Sequence, residues 1–258
     1  MELIVLIGIL GLFCGFLSGL LGIGGGIMMA PLLLYVPPLF GLDSLSMRTV
    51  AGLTIVQGLV AAIFGVSAHH RYDRVSTKLT LWMGATIFVA ALIGGASAAL
   101  VPNRALLFIF GGLAVAAAVL ILYGPDRESS APQTSELDFS RPRAVFSAGA
   151  VGLLGGLVGQ GGSFLMIPLM TAFVKIPHRI ALGSNLAIVL LAGAAAFAGK
   201  ALTGQIEWLL ASPILVTVVP AAYLGGHISQ KVSVPVLRRC LALVIALAAI
   251  RVWISLLG

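Results

Sequence analysis

Eight long apolar runs, at roughly residues 3–40, 49–68, 79–101, 105–123, 144–174, 180–200, 208–230 and 234–257, leave this chain few folds to choose from. A helix needs about 20 apolar residues to cross a hydrocarbon layer about 30 Å thick, and most of the runs are long enough. A membrane barrel would show shorter segments of alternating character instead. Hydrophobic residues are 60% of the chain and charged residues 9%, well outside the range of soluble domains. The pattern predicts an all-α polytopic protein set in a lipid bilayer. The net charge of +7 sits in short loops and at helix ends, where it orients the chain and does not point to nucleic acid.

Inside this pattern a glycine-rich, proline-ended motif occurs twice. The first copy is Gly22-Ile-Gly24-Gly25-Gly26-Ile-Met-Met29-Ala-Pro31-Leu32. The second, 137 positions on, is Gly159-Gln160-Gly161-Gly162-Ser163-Phe-Leu-Met166-Ile-Pro168-Leu169. The same offset pairs Gly15 with Gly152 and Gly19 with Gly156. Further along, Arg48-Thr-Val-Ala-Gly52-Leu53-Thr54 aligns with Arg179-Ile-Ala-Leu-Gly183-Ser184-Asn185, and Gly94-Gly95 with Gly225-Gly226, both at offset 131. A repeated helix break in a membrane protein marks a transporter built from two related halves.

The one polar stretch of any length, 124–143, carries Pro, Ser and mixed charge and reads as a linker. It divides the chain into a first membrane repeat (1–124), a linker (125–143) and a second membrane repeat (144–258). The apolar run that follows Met1-Glu2 has no basic leader region and no small-residue cleavage site, so it is read as a retained helix. Cys14 and Cys240 lie in apolar runs with no metal-ligand spacing and are read as small packing residues.

Loop charge orients the halves. If each glycine-broken segment crossed once, Lys and Arg would divide almost evenly between the two sides. If each goes in and returns, as two helices or a helical hairpin, each half crosses an odd number of times and the second is inverted. One side then holds Arg71, Arg74, Lys78, Arg127, Arg141, Arg143, Lys175, Arg179, Lys231, Arg238 and Arg239. The other holds Arg48, Arg104, Lys200 and Arg251. This split follows the positive-inside rule. It predicts two inverted repeats, each a glycine-broken helix or hairpin plus three transmembrane helices. The linker is then cytoplasmic and both termini extracytoplasmic.

The breaks carry the chemistry. At 22–26 and 159–163 the backbone can leave helical geometry at low steric cost. Non-helical backbone at membrane depth persists only where protein or a wet cavity satisfies it. The runs at 27–34 and 164–173 restart helices whose first N–H groups lack intrahelical partners and sit at the positive end of the helix dipole. Two such ends meeting near the midplane would hold an anion without a buried Lys or Arg. Gly11, Gly15, Gly19 and Gly22, at spacings of four and three, fit a helix-packing face instead. Gly24-Gly25-Gly26 and Gly161-Gly162-Ser163 are consecutive and do not fit one face, which favours a ligand role.

Polar side chains in the runs are few. Thr54, Gln57, Gln160, Ser163, Ser184 and Asn185 are the candidate donors, and Asn185, a lone amide in an apolar helix, either lines the site or bonds a neighbouring helix. His227 reads as a helix-end histidine, and His69, His70, Arg71 and Arg74 as a basic membrane anchor. No Asp or Glu lies deep in a run, which removes the usual proton relay and Na⁺ ligands. No cofactor or metal is expected, and a homo-oligomer is compatible with the sequence.

With its paired glycine motifs and downstream prolines, its Gly183-Ser184-Asn185, its central linker and its length, the chain resembles the sulfite exporter TauE/SafE family of membrane permeases along nearly its whole extent. The resemblance implies passage of small sulfur oxyanions or organosulfonates across the cytoplasmic membrane. Gly52-Leu53-Thr54 departs from the Gly-Ser-Asn triplet and makes the halves unequal. A passive anion channel shares the same broken helices and is the alternative. A membrane enzyme would need a nucleophile, metal cluster or carboxylate pair that the runs lack.

Overall fold

The computed structural model describes residues 1–21, 26–68, 76–123, 139–159, 162–229, 243, 245–247 and 249–255, and among these there is no strand. The helices are α1 (Glu2–Leu21), α2 (Gly26–Leu39), α3 (Met47–Ala68), α4 (Thr77–Ser97), α5 (Asn103–Tyr123), α6 (Arg141–Leu157), α7 (Ser163–Ala172), α8 (His178–Leu202) and α9 (Trp208–Ser229). A single 3₁₀ turn, Ala98–Leu100, follows α4. Residues 245–247 and 249–255 are helical as well. Five helices hold spans long and apolar enough to cross a membrane: Glu2–Leu20, Met47–Phe64, Thr77–Leu100, Asn103–Leu120 and Trp208–Ile228. The chain is therefore a polytopic helical membrane protein. Most of the linker, the His69–Arg74 cluster, Cys240 and Gly258 lie outside the described residues.

Large apolar side chains face outward, among them Ile9, Phe13, Trp82, Val89, Val216 and Leu224. Small residues face inward, as membrane bundles require when packing replaces the hydrophobic effect between helices. The closest helix contacts come in two matched sets. A Cβ on Gly19 would overlap the carbonyl of Ala222, and one on Gly225 the carbonyl of Phe16. In the other pair, a Cβ on Gly156 would meet the carbonyl of Ala91, and one on Gly94 that of Leu153. Each residue of the first set maps onto the second by the offsets 137 and 131 found in the sequence. The α1–α9 interface is therefore the α6–α4 interface with the halves exchanged. Gly11, Gly15 and Gly19 meet Ile214, Val218 and Ala222 in that order, so α1 and α9 run in the same direction.

Contacts between chain turns fix the remaining register. At the start of α3, the Thr49 hydroxyl donates to Glu207 Oε1 at 2.7 Å, just before α9. At the start of α4, the Ser76 N–H donates to Ser184 Oγ at 3.1 Å, in the second turn of α8. α8 crosses α3 in the opposite direction: Gly193 faces Leu59, while Gly52, early in α3, meets Gln205 just past the end of α8.

Both helix breaks fall where the glycine motifs place them. α1 stops at Leu21 and α2 starts at Gly26, while α6 stops at Leu157 and α7 starts at Ser163. The described residues beside the breaks lie at different levels. Gly159 sits beside Ala51, four residues into α3, whereas Gly19 lies level with Ala222, fourteen residues into α9. Since α3 and α9 start together, Gly159 and Gly19 are about 15 Å apart along the bundle at 1.5 Å per residue.

Candidate functional site

The second break is built by glycine geometry. Gly159 has φ +73° and Gly162 φ +74°, the left-handed region that side chains resist. A Cβ on Gly159 would overlap the Ala51 carbonyl, and one on Gly162 would overlap Val151 Cγ1. With Gly162 as its N-cap, α7 begins without any side-chain cap. Its first amide groups therefore keep the unpaired donors and partial positive charge of a helix start.

α3 is tied to this break by a side chain. Thr54 Oγ1 donates to the Gly159 carbonyl at 3.1 Å and to the Ala51 carbonyl at 3.2 Å, fully buried. Gln57 lies three residues on, on the same face of α3, and is also fully buried. Neither Oε1 nor Nε2 of its amide has a partner. A buried amide left unmatched costs about 1–3 kcal/mol, so it requires an explanation. Ten residues into α3, Gln57 sits about 15 Å along the helix, half of the roughly 30 Å apolar thickness. That depth lies between those of Gly159 and Gly19.

Ser184 and Asn185 occupy the second-half positions equivalent to Leu53 and Thr54, and both are buried. The Ser184 hydroxyl accepts the Ser76 N–H and so anchors the start of α4. Asn185 Oδ1 has no partner. Gly26 and Ser163 are the first residues of α2 and α7. Gly24, Gly25, Gln160 and Gly161 lie outside the described residues. Among the expected donors, then, Thr54 meets the second break and Gln57 stands one turn beyond it. Asn185 lies on α8, which crosses α3 in the opposite direction. Among the described residues no cluster of His, Cys, Asp or Glu could hold a metal ion.

Sequence reasoning missed Lys200. It was counted among loop charges, and the site was expected to do without a buried cation. Instead Lys200 lies inside α8 and is fully buried. Its ammonium donates to the Leu157 carbonyl, at the end of α6, at 3.1 Å and to Gln205 Oε1 at 3.4 Å. Gln205 in turn donates to the Gly95 carbonyl at 2.8 Å. The available signal was weak: Lys200 ends an apolar run, where a lysine normally reaches out to water.

The sequence pattern described as "Sulfite exporter TauE/SafE" matches residues 7–252. A probable membrane transporter protein of Xylella fastidiosa (strain Temecula1) is 30% identical, over 100% of this chain and 98% of that protein. The probable membrane transporter protein YunE of Bacillus subtilis is 23% identical over 90% of this chain and 89% of its own length. The probable membrane transporter protein MJ0441 of Methanocaldococcus jannaschii is 24% identical over 90% and 88%. No solved structure matches the chain.

Proposed function

The chain belongs to the sulfite exporter TauE/SafE family, a family of membrane permeases and not of enzymes, and from that premise we propose that it carries a small anion across the cytoplasmic membrane. The substrate class is sulfite or an organosulfonate. The observation that carries this reading is Gln57. Its amide is buried with no partner, at a depth between two helix starts of a kind that favours anions. An amide N–H donates well to an oxyanion, and a site of this type leaves its donors unpaired until the ligand arrives.

The two breaks lie at different depths, so the anion meets their amides in turn. It leaves the start of one short helix, passes Gln57 and reaches the start of the other. The halves are inverted in this reading, with the linker in the cytoplasm. It is supported by the shared direction of α1 and α9, by the opposed course of α3 and α8, and by the common level at which α3 and α9 begin. Inversion lets the same device face both sides of the membrane, the arrangement that alternating access exploits.

The test is uptake into proteoliposomes with a panel of sulfite, thiosulfate, sulfate, sulfoacetate and taurine. Saturable uptake of one or more of the anions, with counterflow, is the expected result and identifies a carrier. Uptake of none overturns the anion reading. Flux that does not saturate and lacks counterflow replaces the carrier with a channel.

A further inference from the structure

We propose that Lys200 is a substrate-binding residue, the cationic group that meets the transported anion at the α7 end of its path. This rests on the anion-transport reading and adds to it a charge that the glycine motifs do not supply. The ammonium is fully buried. Among the described residues it has no carboxylate partner: its hydrogen bonds go to the Leu157 carbonyl and to the Gln205 amide oxygen. An ammonium has three donors, so these bonds leave one unused.

The start of α3, which carries Arg48, packs at the same end, where Gly52 meets the Gln205 backbone. Arg48 donates through Nη2 to the Val101 carbonyl at 3.2 Å, and its Nε is buried with no partner. The nearby Glu207 carboxylate accepts from the Thr49 hydroxyl. Lys200 and Arg48 therefore lie at one end of the bundle, with Glu207 as a described carboxylate beside Thr49. A buried ammonium without a carboxylate partner is costly, and in a membrane span it marks an ion path by default.

The location fits a binding role. Leu157, which Lys200 holds, is the last residue of α6. Two residues on, Gly159 accepts from Thr54, and α7 starts at Ser163. The ammonium thus borders the break whose helix start faces the anion. In the absence of substrate the α6 carbonyl end supplies partial negative charge to hold it. An oxyanion arriving at the start of α7 offers a full charge instead, and the ammonium adds a charge-assisted hydrogen bond.

Sulfite binding to the purified full-length protein, by calorimetry, tests this with melting temperature followed in parallel. Lys200→Gln keeps a donor for Leu157 and removes the charge. We expect it to fold and to bind sulfite at least about tenfold more weakly, the loss that follows from one charged hydrogen bond. Lys200→Arg should stay within about threefold of wild type. Unchanged sulfite affinity in Lys200→Gln would overturn the assignment and leave the ammonium as a cap on α6. If Lys200→Gln does not fold, Lys200→Cys, with Cys14 and Cys240 replaced, is alkylated instead. Bromoethylamine rebuilds a lysine-like cation and should restore binding, whereas iodoacetamide adds a neutral amide and should not. Equal binding after both treatments, or failure of both variants to fold, would make Lys200 purely structural. Wild-type protein that binds none of the anions would refute the anion reading itself, a result independent of these variants.

Discussion

The hydroxyl of Thr54, on α3 in the first half, hydrogen-bonds the carbonyl of Gly159, at the helix break of the second half, across 3.1 Å. This bond joins the halves at the point where α6 stops being a helix. Thr54→Val keeps the shape and removes the donor, leaving the Gly159 carbonyl without this bond. A loss of about 1–3 kcal/mol is expected, with a melting temperature lower by several degrees. Thr54→Ser should recover most of it. Thermal unfolding of the detergent-solubilised variants measures this, and equal stability for Val and wild type would show that the tie contributes nothing.

Gly162 is expected to tolerate no side chain. Its φ of +74° disfavours any L residue, and a Cβ there would overlap Val151. Gly162→Val should abolish transport while the protein still inserts, and Gly25→Val is expected to do the same at the first break. For Gly162→Ala, pairing with Val151→Ala removes the overlap but leaves the backbone strain, about 1 kcal/mol or more, so activity should return only in part. Full uptake activity in correctly inserted Gly25→Val and Gly162→Val would place the anion elsewhere.

Asn185 stands where the first half has Thr54. Its Oδ1 is buried with no partner, and the amide is expected to donate to the anion through its N–H end. Asn185→Ala should weaken sulfite binding by roughly 10- to 150-fold, the range for a hydrogen bond to a charged group, and Asn185→Ser by less. Calorimetry with melting in parallel separates the roles. Equal affinities with a lower melting temperature for alanine alone would mean that Asn185 only holds helices together.

The charge asymmetry of the loops predicts that residues near Ser130 face the cytoplasm and Gly258 the outside. Single cysteines at these positions, with Cys14 and Cys240 replaced, should react with an impermeant reagent only at 258 in intact cells. The reverse pattern would overturn the proposed orientation.

Much of this architecture was legible in the sequence, because membrane helices leave a long apolar record and duplicated glycines record where helices must touch or stop. Gly19 was readable as a packing residue from its spacing with Gly11 and Gly15, and it meets the Ala222 backbone; Gly156, its equivalent at offset 137, meets the Ala91 backbone. The ends at Leu21 and Leu157 followed from the glycines after them. Depth was not legible. The separation of the two breaks depends on which turn of α9 lies beside α1, a contact between distant segments with no local signature. The burial of Lys200 was hidden for the same reason: its partners Leu157 and Gln205 come together only when α6, α8 and the turn after α8 are assembled. The Ser184 hydroxyl also accepts from the start of α4, a contact between distant segments that the sequence does not show.

The central claim, that an anion uses the unpaired amide of Gln57, is tested most directly by Gln57→Leu. Replacing an unmatched buried amide with an apolar group of similar size removes a desolvation cost, so the variant should melt at or above the wild-type temperature. It should also lose sulfite binding by about tenfold or more. Sulfite titration of Gln57→Leu beside wild type, with both melting curves, reads the two effects together. Stability retained with affinity lost is the predicted result, and a stable variant that binds sulfite as tightly as wild type would contradict it.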